Sequence, residues 1–202
     1  PFGAIHRRMV FQFARDVFYR SDIYNRMLRR HGPTQIHAIT TDPLPGDPVR
    51  GAGILNGEMM LAARKRTLGP YPFAADLKSR RAVAELYGFS WLRDLAALSA
   101  PGARETAQAL IRDWLRHHDR WDAVTWAPDV AGTRILAWLN YIDFATEEAD
   151  NGLRAEIAAA ASAQLRHLAG NNRSGNEHSG LDESPFTVGA ALIAGAVGLP
   201  GL

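Results

Sequence analysis

Cysteine is absent from the 202 residues, which excludes a disulfide framework and a thiolate metal site. The absence fits the cytoplasm and is compatible with a bacterial periplasm. No apolar run reaches the ~20 residues that a membrane-spanning helix needs. Nor is a signal peptide legible, because His6, Arg7, Arg8, Arg15 and Asp16 interrupt the apolar residues between positions 2 and 18. Secretion is therefore unsupported and the cytoplasm is the expectation from the sequence itself. Signatures of common enzymes are missing too: there is no GxSxG elbow, no HExxH and no P-loop. Gly51, Gly53 and Gly57 form a GxGxxxG string, but its spacing differs from a phosphate loop and no strand-to-helix transition surrounds it.

What is present is ordinary globular material, with 47% hydrophobic residues, enough for one large domain or two small ones. The net charge of +2 conceals an asymmetry. Residues 1–31 carry Arg7, Arg8, Arg15, Arg20, Arg26, Arg29 and Arg30 against Asp16 and Asp22. Val10, Phe13, Ala14, Val17, Tyr24, Met27 and Leu28 recur at helical spacing, predicting one basic amphipathic helix from about 6 to 30, stopped by His31, Gly32 and Pro33. We take 1–33 as the first unit. Its arginines suit peripheral membrane contact through residues 1–31; alternatively they form a solvated outer face while the apolar side docks on the domain. No nucleic-acid partner is expected.

Residues 34–72 read as an extended connector rich in proline, with a β-hairpin at about 52–62 turned by Asn56-Gly57. Beyond Pro72 the periodicity is helical, with helices expected near 78–87, 90–98, 102–119, 129–146, 152–169 and 186–199. The last of these is apolar all round, so it must be enclosed, and more helices are needed for that than follow it. The front part of a longer protein is the expectation. A polar loop from 170 to 185 carries His178 beside Glu177, with Asp182 and Glu183 close by; loops of this length are functional or disordered. His117 and His118 beside Asp119 fit a helix end better than a metal site.

The chain is organised around residues 126–141, WAPDVAGTRILAWLNY. Pro128 suits a first helical position, and Ile135, Trp138, Leu139 and Ile142 mark a core face. At about 100° per residue, Arg134, Trp138 and Tyr141 share a neighbouring stripe. A guanidinium fork beside amphipathic rings fits a sugar carboxylate. The same trio fits a Trp–Arg edge that packs two helices together.

GFSWLRDL (88–95), the helix carrying Ile111 and Trp114, and WAPDVAGTRILAW (126–138), preceded by PVRGAGILNG (48–57), together resemble the N-terminal helical region of heparinase II/III-like proteins. The resemblance implies a mainly α fold, an incomplete α/α toroid of antiparallel helix hairpins with one short β-hairpin, in which 73–202 is a truncated toroid portion. It implies a following β-rich domain that this chain lacks, and it brings in a periplasmic location as an alternative. It implies β-elimination on uronate-containing polysaccharides, with a base removing the C5 proton and an acid assisting the departing O4 oxygen. The family's Asn-His pair has no counterpart, because the corresponding zone reads GLDESP with Glu183 and Ser184 in its place, and Asn171, Asn172 and His178 are out of register. No catalytic residue is carried over, and no cofactor or metal is implied.

The sequence expectation is thus one wall of an acidic-polysaccharide cleft, with Trp126, Arg134, Trp138, Tyr141 and His178 as substrate-binding residues. A lyase would be active only in a longer protein. The alternative is a non-catalytic glycan-binding or scaffold module whose basic helix docks on a membrane or partner. A glycosidase would need two opposed carboxylates, drawn from Glu177, Asp182, Glu183 and acids of the 129–146 helix.

Overall fold

The single N-terminal helix expected over 6–30 is two helices in the computed structural model of the chain, which describes residues 2–30, 32, 35–39, 42–69, 72–74, 76–147, 151–173 and 185–200. Helix α1 spans Phe2–Arg20 and α2 spans Asp22–Arg29. Ser21 makes the break. Its backbone is extended, and its Oγ accepts the Tyr24 N–H at 3.2 Å while donating to Phe18 O at 2.6 Å. A serine N-cap thus competes successfully with helix continuation. The apolar side of α1 does not dock: Val10 is 56% and Phe13 72% exposed. Among the described residues only the end of α1 is tied down, where Tyr19 donates to Asn171 Oδ1 at 2.8 Å.

The expected connector contains a helix. Asp47 accepts from the N–H groups of Val49 and Arg50, and Pro48 opens α3, Pro48–Leu55. Asn56-Gly57 therefore closes α3 rather than turning a hairpin. Gly57 lies at φ +77 with its N–H returned to Ile54 O at 2.9 Å, the left-handed exit common after helices. The hairpin follows instead, β1 (Glu58–Leu61) pairing antiparallel with β2 (Arg64–Thr67) from Glu58 opposite Thr67 to Leu61 opposite Arg64. Its two-residue turn is Ala62-Ala63, both at positive φ, a conformation alanine carries no sequence signal for. Glu85 Oε2 supports the turn by accepting the Ala62 N–H at 2.6 Å.

The expected helices then come close to their places: α4 (Arg80–Tyr87), α5 (Leu92–Ala97), α6 (Ala103–His118), α7 (Pro128–Thr146), α8 (Asn151–Arg173) and α9 (Pro185–Gly198). The fold is mainly helical, with one short antiparallel sheet among the described residues. Helix α7 is central, packing against α4, α5, α6, α8 and α9. Its Ile135, Leu139 and Ile142 are buried with Ile111 and Trp114 of α6 and Ile157 and Leu165 of α8. The outer side of helix α9 is open: Phe186, Ile193 and Val197 are 84%, 71% and 69% exposed.

Helix α3 crosses α5 closely at Gly51, where a Cβ would overlap the carbonyl of Asp94. That buried Asp94 accepts the Asp47 N–H at 2.9 Å, which locks the start of α3 to the same helix. Gly51→Ala is expected to cost about 1–3 kcal/mol through overpacking, visible as a lower urea midpoint with an unchanged slope. An undisturbed midpoint would show that the two helices can separate freely.

Candidate functional site

Three of the residues expected to face a sugar, Trp126, Arg134 and Trp138, are interior. Arg134 is 0% exposed. Its Nε and Nη2 donate to Gln164 Oε1 at 2.9 and 2.6 Å, and its Nη1 donates to the carbonyls of Tyr87 and Thr125 at 2.8 and 3.0 Å. The guanidinium carbon also lies 4.4 Å from the centre of the Trp114 ring and 5.9 Å from that of Trp138, so cation–π attraction replaces part of its lost hydration. Burial lowers its pKa to about 9, against a smaller raising effect of Asp119, which leaves it charged at neutral pH. The centre joins α4, the 119–127 connection, α7 and α8. As placed, its donors have no access to an outside carboxylate.

The two tryptophans are buried in the same way, whereas Tyr141 is half-buried. Trp138 is 1% exposed and stands edge-on to Trp114 and Phe89. Trp126, also 1% exposed, belongs to a second cluster with Tyr24, Leu28, Trp121 and Ala163, and donates to His118 O at 3.3 Å. Tyr141 sits at a kink in α7 and donates to Asp42 Oδ2 at 2.9 Å; burial, then that bond, push its pKa up to about 12. The structure thus unites Arg134 with Trp138, while Trp126 and Tyr141 serve separate contacts. His178 lies outside the described residues, as do Glu177, Asp182 and Glu183.

A second polar centre went unread in the sequence. His167 of α8 is 2% exposed and joins α2 and the 119–127 connection to α8. Trp121 Nε1, a donor only, points at His167 Nε2 at 3.2 Å. The neutral ring therefore carries its proton on Nδ1, 2.8 Å from Tyr24 Oη, and donates there. Asn171 Nδ2 lies 3.0 Å from Nε2. Burial, with a smaller contribution from the charge of Arg15, lowers the His167 pKa to about 4. Its neighbours Leu165 and Leu168 gave helical spacing, but nothing local distinguishes a core histidine from a surface one.

An open cleft lined mostly by charged side chains lies between α2 and the last turn of α6, about 420 Å³ in volume. Arg26, Arg29, Arg116 and Arg120 line it with Asp22 and Asp119. The His117-His118-Asp119 run is the end of α6 on this cleft. Among the described residues no three His, Asp or Glu side chains gather as metal ligands, and no helix is long and apolar enough to cross a membrane.

Over 138 residues, 67% of its length, the chain is 34% identical to FtsZ-localized protein C of Caulobacter vibrioides. That is a protein named for where FtsZ is. The matched stretch spans 24% of the length of that relative. No family model and no solved structure matches the chain. The similarity to FtsZ-localized protein C overturns the expected polysaccharide lyase, its glycan-binding alternative and the acidic-polysaccharide partner. The geometry agrees: a buried, internally satisfied Arg134 holds helices together, the packing role that the same residues also fit.

Proposed function

We propose that this chain is a helical module that associates with FtsZ assemblies as part of a protein related to FtsZ-localized protein C. The observation that carries the proposal is the 34% identity over 138 residues. The surface that supports it is one face of α1, where Val10, Phe13 and Val17 stay 56%, 72% and 55% exposed beside the local excess of arginine. Exposed apolar residues of this size on one helix mark a docking surface more often than a solvated one. The test is pelleting with purified FtsZ. The chain should sediment with FtsZ assembled in GTP and remain soluble with FtsZ held in GDP. Val10→Ser with Phe13→Ser should reduce the pelleted fraction several-fold while leaving the melting midpoint within about 1 °C, since neither side chain is buried. Equal sedimentation in both nucleotides would count against the association.

For the architecture, we infer an arc of an α/α toroid, the arrangement of heparinase II/III-like proteins. Its support is the succession of α4 to α9 and the packing of α7 against both helices that follow it. A crystal structure of a longer relative would decide between a ring of hairpins and a simple bundle.

A further inference from the structure

The cleft between α2 and α6 has more cationic groups than its own carboxylates use. Arg29 pairs with Asp119 and also donates to the Asp119 carbonyl at 2.9 Å, and Arg120 pairs with Asp22 at 2.8 Å. Arg26 and Arg116 make no ion pair among the described residues; Arg116 bonds only through Nε, to Arg112 O at 3.2 Å. Two guanidinium groups thus face an open cleft of about 420 Å³ with their terminal donors available. Beside Arg26 on α2, Ile23 and Met27 are 74% and 54% exposed.

We propose that this cleft binds an acidic peptide segment of a partner protein, independently of the FtsZ association. Each component of such a segment has a counterpart. Its carboxylates take the planar forks of Arg26 and Arg116. An apolar side chain of the segment covers Ile23 and Met27. A small inorganic oxyanion would satisfy the arginines but leave Ile23 and Met27 uncovered. Charge and the neighbouring apolar pair together therefore select a peptide over free phosphate.

The experiment is fluorescence anisotropy of a labelled, end-blocked peptide of alternating Asp and Leu, titrated with the 202-residue chain. Binding should be lost when Asp is replaced by Asn in the peptide. Arg26→Glu with Arg116→Glu should weaken it by about tenfold or more, and Arg26→Gln with Arg116→Gln by less, both with unchanged melting curves because the side chains are exposed. Affinity equal to the unaltered chain in the glutamate variant overturns the proposal. So does binding of inorganic phosphate, or of phosphatidylserine vesicles, by a chain that ignores the peptide.

Discussion

Replacing Arg134 with alanine is expected to unfold the chain more readily rather than to weaken any ligand, lowering the melting midpoint by roughly 10 °C or more. The side chain fills the junction of α4, α7 and α8 and donates to three acceptors, Gln164 Oε1, Tyr87 O and Thr125 O. Alanine leaves these acceptors buried without donors and opens a void beneath the rings of Trp114 and Trp138. Losses of that kind cost about 3–5 kcal/mol when a buried network is broken, and for a chain of this size each kcal/mol moves the midpoint by about 2–4 °C. Lysine should recover only part, because an ammonium cannot span Gln164 on one side and two carbonyls on the other. The measurement is differential scanning calorimetry of the two variants beside the unaltered chain. A midpoint within a degree or so for Arg134→Ala would sink the account of Arg134 as a structural junction.

That result would also locate what sequence reading could and could not reach. The helix carrying Arg134 was legible from Pro128 and the spacing of Ile135, Leu139 and Ile142, because burial of one face imposes a 3.6-residue period. Which side of the helix lies under another helix is not encoded in that period. Arg134 and Trp138 read as an edge, and only the positions of α4 and α8 turn that edge into an interior. Local competition explains the other departures. Ser21 stops α1 through a cap bond that a pattern of apolar residues overlooks, and Pro48 after Asp47 starts a helix in a segment whose prolines suggested none. Asn56-Gly57 has the composition of a hairpin turn and of a helix exit alike; the Asp47 cap ahead of Pro48 decides between them. The basic cleft was half visible. The arginines of α2 stood out by charge, but their meeting with Arg116 and Arg120 depends on a packing of distant segments.

The second large effect is a loss of stability in mild acid that originates at His167. Its folded pKa of about 4 lies below the value of about 6.5 in an unfolded chain. Above about pH 6.5 the ring is neutral in both states and the Trp121–His167–Tyr24 bonds are intact. As pH falls below that value the unfolded chain takes up the proton first, so unfolding is favoured progressively until about pH 4, where the folded ring protonates too. The difference amounts to about 3 kcal/mol from this one group. Protonation inside the fold would set an Nε2–H against the Trp121 N–H, donor against donor, which is why the site resists it. His118, whose pKa is also lowered by burial and then by His117, acts in the same direction. Asp119 acts in the opposite one: burial raises its carboxyl pKa despite the Arg29 bond, so the folded state gains on protonating it at still lower pH. Urea midpoints taken from about pH 7.5 down to about pH 4.5 should therefore decline. His167→Gln should be less stable at neutral pH, having lost part of the network, yet should show a much flatter decline through the same window. A variant with the full slope of the unaltered chain would place the acid sensitivity elsewhere and remove His167 from its position as the neutral pin between α2 and α8.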